Sequence, residues 1–197
     1  EWQEETYKYF HSHPELSMQE KNTSQFIYKT LLSYGYQALR IGGGVVGILE
    51  NGDGPKVLFR ADMDALPVKE ETGLEYASKV VMKDLDGKTV PVMHACGHDV
   101  HIVAGLGAAW ALANHLSEWQ GTYIALFQPG EEIAAGAKSM IKDGLFEKIP
   151  HPDLALSQHV LTEPISGKVG TLAGPFLSSA TSLKITVYGK GAHSSMP

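Results

Sequence analysis

Apolar positions recur at helical spacing over residues 2–10 and 19–34, where Trp2, Tyr9 and Phe10, then Phe26, Ile27, Leu31 and Leu32, predict two helices. Between them His13-Pro14-Glu15-Leu16-Ser17 breaks the pattern, because the residue before a proline is pushed toward extended conformations. His11 and His13 read here as surface or capping residues, and Gly35 fits the end of the second helix. Residues 45–49 and 56–59 read as short strands, and the intervening Asn51-Gly52-Asp53-Gly54 predicts a hairpin. A polar excursion over 70–88, with Asp86-Gly87 as a turn, reads as a surface loop. After it, small apolar residues predict a buried helix over 102–116, a buried strand over 122–127, a helix over 134–143 and strands over 154–157, 165–172 and 183–188.

Strand-helix-strand alternation from 57 to 159 predicts an α/β fold, a mixed sheet covered by helices on both faces. In such sheets the site lies beyond the carboxyl ends of the strands. Four strand ends or neighbouring loops there carry Asp62/Asp64, Cys96/His98, Glu131/Glu132 and His159. Unrelated structural side chains would not be expected to line up in this way.

Composition narrows the function classes. The 197 residues are 43% hydrophobic and 19% charged, with a formal net charge of −6. The sixteen Lys and Arg are scattered, so no basic footprint for nucleic acid is present. No apolar run is long enough to span a bilayer and no basic start precedes a hydrophobic block, so a cytoplasmic protein acting on small molecules is expected. The single cysteine excludes an intramolecular disulfide.

That cysteine lies in the densest stretch of metal-binding side chains, Met93-His94-Ala95-Cys96-Gly97-His98-Asp99-Val100-His101. A thiolate and an imidazole one glycine apart can turn toward one centre, with Gly97 allowing the tight bend. Alone, a Cys-x-His pair is more often a buried cysteine beside capping histidines. The adjacent carboxylates Glu131 and Glu132 add to the case, because they follow a buried strand and a Pro-Gly turn. Successive side chains there point in opposite directions, so one can bind metal while the other faces a reacting water.

Three motifs, His94-Ala-Cys96-Gly-His98-Asp99-Val-His101, Phe127-Gln-Pro-Gly-Glu131-Glu132 and Gly189-Lys-Gly-Ala-His193-Ser-Ser-Met-Pro197, resemble those of a family of metal-dependent amidohydrolases. These are the relatives of hippurate hydrolase, indole-acetyl-amino-acid hydrolase and N-acetyl-diaminopimelate deacetylase, the aminoacylase-like branch of the dinuclear metallo-carboxypeptidases. The resemblance covers nearly all of the chain, in order. It implies that Cys96, His98, Glu132 and His159 bind two divalent metal ions per subunit and that Glu131 is the general acid/base. It also implies that Asp64 orients the metal site and that His193 stabilises the oxyanion, reaching into a partner subunit's site in a homodimer. Asp62 receives no role, and His94 and His101 are expected to support the structure around the ligands.

The implied reaction is hydrolysis of the amide bond of N-acyl amino acids. Mixed sulfur, nitrogen and oxygen ligands suit zinc; manganese is equally plausible, and cobalt and nickel stay open. Relatives run to roughly twice this length, so residues 1–178 are expected to be the first part of a catalytic domain and 179–197 the start of an inserted dimerisation domain. On that expectation the isolated chain has little activity. Open beside this reading are a dipeptidase or carboxypeptidase of the same superfamily, a non-catalytic metal-binding fragment, and thiol catalysis at Cys96.

Overall fold

The computed structural model describes residues 1–163, 165–176, 181, 183, 185, 186, 188, 189, 191 and 195. The chain divides into two compact units, 1–160 and 161–197. In the second, a turn closed by the Lys168 amide donating to the Ile165 carbonyl at 3.2 Å is described. Residues 165–172, expected as a strand, form none, and the segment 183–188 falls partly outside the described residues. His193 lies outside them as well.

The first unit opens with helices α1 (Trp2–Ser12) and α2 (Lys21–Ser33). The connector supplies α2 with its cap, since the buried Glu15 carboxylate accepts the Asn22 and Thr23 amides at 3.1 and 2.8 Å. A carboxylate at this end of a helix satisfies free N–H groups and meets the positive pole of the helix dipole. Strands β1 (Gln37–Ile41), β2 (Gly44–Asn51) and β3 (Lys56–Asp62) follow, then the small hairpin of β4 (Val81–Lys83) and β5 (Thr89–Pro91). Next come α3 (His98–Asn114), β6 (Gly121–Gln128), α4 (Gly136–Lys142), α5 (Leu145–Lys148) and β7 (Leu154–Ser157).

The main sheet has the order β1-β2-β6-β3-β7. β1 and β2 are antiparallel, as are β2 and β6, whereas β6, β3 and β7 run parallel. Period-two alternation sends Tyr123, Ala125 and Phe127 of β6 to one face, where they meet Phe10, Ile27, Leu31, Ile102 and Leu106 from the first three helices. Ile124 and Leu126 point the other way, onto Met140 and Leu145 of α4 and α5 and onto Ile149 beyond them. Each fully buried Leu, Ile or Phe in these layers is worth roughly 1.5–3 kcal/mol of transfer free energy. The expected mixed sheet covered on both faces is therefore what forms.

Three local expectations are corrected. β2 and β3 do not form a hairpin, because β6 inserts between them. The 52–55 connection then spans two strand spacings, roughly 10 Å, and the Pro55 carbonyl accepts the Thr122 amide at 3.0 Å. The polar excursion contains the β4–β5 hairpin. His11 is not a surface residue: it is buried in α1 between two carboxylates. No helix among the described residues is long and apolar enough to cross a membrane.

Candidate metal centre

Because β3, β6 and β7 are parallel, their carboxyl ends share one edge of the sheet, and the chain delivers its chemistry there. β3 ends in Asp62 and leads into Asp64, β6 leads into Glu131 and Glu132, and β7 leads into His159. Helix α3 points its N-terminus at the same edge with His98 as its first residue; the expected helix began four residues later. Gly97 precedes it at φ +80, a conformation that suits glycine, and the Val160 side chain sits where a β-carbon would be.

Asp64 is the hub of this edge. Its Oδ2 accepts Ser17 Oγ at 2.6 Å and the Glu132 amide at 3.0 Å. His98 Nδ1 lies 2.9 Å from the Asp64 carbonyl and 3.2 Å from Asp64 Oδ1, both acceptors, so Nδ1 carries the proton. The Nε2 lone pair is left facing Asp62 Oδ1 at 3.7 Å, Glu132 Oε1 at 3.8 Å and Glu131 Oε2 at 3.9 Å. Cys96 Sγ lies 3.5 Å from His159 Nε2. Among the described residues, two clusters thus share His98, one with Cys96 and His159 and one with Glu131 and Glu132. A third set, Asp62, His98 and His101, is equally compact.

Glu131 and Glu132 sit on a tight turn. Gly130 at φ +52 has the Met18 sulfur where a β-carbon would stand, 2.6 Å away. Its amide donates to the buried Glu20 carboxylate at 2.7 Å, and its carbonyl accepts the Ala135 and Gly136 amides, both at 3.1 Å. Burial pushes Glu20 up to about 7.

Electrostatics and hydrogen bonding both fit a cation. Burial, with the charges of Glu132, Glu131 and Asp62 around it, pushes the Cys96 thiol up to about 11. Burial alone would lower the His98 pKa, but its bond to Asp64 and the charges of Asp62, Asp64 and Glu132 outweigh that and raise it. Among the described residues, His98 Nε2 and Glu132 Oε1 are buried without a hydrogen-bond partner. Unpartnered acceptors in an acidic cluster with thiol, imidazole and carboxylate ligand atoms fit one or two divalent cations, which invert the local proton affinities. The raised thiol pKa argues against Cys96 as a nucleophile, a role that requires a lowered one.

Of the expected site residues, Cys96, His98, Glu131, Glu132, His159 and Asp64 are brought together here. Burial depresses the pKa of His94 to about 4, and both its ring nitrogens lack partners among the described residues. Sequence reasoning missed Ser17, Glu20 and Arg60. It also missed the Glu70–His11–Asp99 cluster, where His11 Nε2 lies 3.0 Å from Glu70 and Nδ1 2.7 Å from Asp99. Asp62 stands two residues from Arg60, but Gln128, its other partner, and the partners of Ser17, Glu20 and His11 are dozens of residues distant in the chain, and no local pattern announces them.

Residues 58–196 match the model of peptidase family M20/M25/M40. The chain is 39% identical to an N-acetyl-L-cysteine deacetylase of Bacillus subtilis, over 96% of this chain and 44% of that one. It is 36% identical to an N-acyl-L-amino acid amidohydrolase of Geobacillus stearothermophilus, over 96% and 49%. A solved dinuclear metal-binding M20 peptidase from Bacillus subtilis superposes with a TM-score of 0.71 at 34% identity, over 82% of this chain and 43% of that one. The chain therefore spans less than half the length of these proteins.

Proposed function

The chain belongs to peptidase family M20/M25/M40, and from that premise we propose that the protein hydrolyses the amide bond of N-acyl amino acids at a two-metal centre. Cys96, His98, Glu132 and His159 hold the cations, which when bound would lower the pKa of water and polarise the scissile carbonyl. The observation that carries this reading is the convergence of Cys96 Sγ, the two histidine Nε2 atoms and the paired glutamates, with His98 Nε2 and Glu132 Oε1 left unpartnered among the described residues.

The chain's own residues divide the work. Asp64 orients His98 through Nδ1 and Glu132 through its amide, as carboxylates behind metal ligands do. Glu131, partly exposed beside His98, takes the proton of the attacking water and returns it to the leaving amine. His193 stabilises the oxyanion across a homodimer interface, residues 179–197 begin the dimerisation domain, and the protein works in the cytoplasm on small N-acyl amino acids. The deacetylase and amidohydrolase named above support the acyl-amino-acid class.

The test is a hydrolysis panel of N-acetyl amino acids, hippurate and dipeptides, run on the full-length protein and its Glu131→Gln variant. The proposal expects N-acyl amino acids to be preferred, and activity to fall by about 100-fold or more in the variant, the usual worth of a general base. Preference for dipeptides would move the assignment to the peptidases of the family, and an unimpaired variant would remove Glu131 from its role.

A further inference from the structure

A run of hydrogen bonds leaves the cluster and returns to it through the backbone of Val160. Arg60 Nη1 donates to Asp62 Oδ2 at 2.8 Å, and Asp62 Oδ1 lies 2.5 Å from His101 Nδ1. On the far side of that ring, His101 Nε2 is 2.9 Å from the Val160 amide. A backbone amide can only donate, so Nε2 holds the lone pair and Nδ1 holds the proton it gives to Asp62. The Val160 carbonyl then lies 2.7 Å from His159 Nδ1. A carbonyl can only accept, so His159 carries its proton on Nδ1 and turns the lone pair of Nε2 toward Cys96.

Two further contacts hold the same residue. The Val160 side chain covers Gly97, between Cys96 and His98. The ring of His101, fully buried, packs edge-on against that of His159 with centroids 4.7 Å apart. Both nitrogens of His101 are committed, so it is not a ligand in the compact set it makes with Asp62 and His98.

We propose that Arg60, Asp62 and His101 form a positioning relay that acts through the Val160 backbone to fix the tautomer and direction of the His159 ring. This rests on the reading of His159 as a metal ligand and gives Asp62 and His101 their roles. Gln128 anchors the outer end, since its Oε1 accepts Arg60 Nε at 3.0 Å. The relay explains how a histidine on an exposed segment is aimed as firmly as His98, which a buried carboxylate holds directly.

The experiment compares the full-length wild type with His101→Leu, which removes donor and acceptor, and His101→Gln, whose amide restores both. Each is freed of metal and titrated with cobalt(II), read by the thiolate-to-cobalt absorption. Wild type and His101→Gln are expected to bind with similar affinity, and His101→Leu about 10- to 100-fold more weakly, the usual effect of removing a group behind a metal ligand. Equal affinity and spectra for His101→Leu and wild type would overturn the relay. So would equal weakening in both variants.

A nitrogen-15 spectrum of the histidine side chains in metal-free wild type gives a second reading that does not depend on the variants folding. The relay requires Nδ1–H on both His101 and His159; an Nε2–H tautomer on either contradicts it. Failure of the wild type to bind cobalt through its thiolate would instead remove the metal reading, and the two tautomers would then decide the relay alone.

Discussion

Glu20 offers a perturbation whose size can be worked out. Its carboxyl is buried, 5% exposed, behind the turn that carries Glu131 and Glu132, and it accepts the Gly130 amide at 2.7 Å. Burial carries its pKa from an ordinary 4.5 to about 7, against the smaller opposing effect of backbone donors. At about 1.4 kcal/mol per tenfold change in proton affinity, that is roughly 3 kcal/mol. The folded protein holds this proton more tightly than the unfolded chain, so stability from this group is complete below pH 4.5 and declines toward pH 7. Above that it stays about 3 kcal/mol lower.

Glu20→Gln keeps an acceptor for Gly130 and removes the charge. Urea unfolding of both metal-free proteins across pH 5 to 8 should give a variant whose advantage grows with pH, to about 2–3 kcal/mol at pH 8. A stability difference that is flat across this range, or a variant less stable at pH 8, would refute the assignment of a buried, late-titrating carboxyl.

Metal-free Cys96, with its thiol at about 11 instead of 9.0, should alkylate at pH 8 about 100-fold more slowly than a free thiol, in proportion to its thiolate population. Iodoacetamide kinetics check this, and reaction at the free-thiol rate would contradict it. His11→Leu should cost about 3 kcal/mol, because it removes the imidazole that bridges the buried Asp99 carboxylate and the partly buried Glu70. The His11 pKa is raised because those two carboxylates outweigh burial. Its contribution is therefore full below the ordinary 6.5 and fades as pH climbs past the raised value, which chemical denaturation at pH 6 and 9 would show. Gly97→Ala should destabilise by about 1–2 kcal/mol and weaken cobalt binding, since a side chain there is strained at φ +80 and collides with Val160. Unchanged melting and binding would count against the tight turn.

Where apolar residues run together or recur at helical spacing, the element could be read from the sequence. The apolar run of β6 was read as a buried strand, and β7 was predicted over its full length although its four residues are exposed. β1 escaped because it is a five-residue strand at the sheet edge whose polar Gln37 shares the face of Leu39 and Ile41 and leaves too short an alternating run. The mistaken hairpin arose because Asn-Gly turns describe a local bend, whereas a strand from seventy residues later decides what pairs across it. At the site, residues clustered in motifs or placed at strand ends were legible. Asp62 and His101 could be seen but not interpreted, because their role runs through the backbone of Val160, to which any side chain could belong. Glu20 and His11 gave no signal, since a buried carboxyl and a buried imidazole owe their meaning to neighbours brought in by the fold.

The central claim is that the cluster around His98 holds divalent cations, and metal content tests it most directly. Elemental analysis of the purified full-length protein, alongside a Cys96→Ala/His98→Ala double variant, reads it without any substrate. The account predicts about two zinc, manganese or similar divalent ions per chain in the wild type and substantially fewer in the folded variant. A wild type that holds no stoichiometric metal, or a variant that holds as much as the wild type, would contradict it.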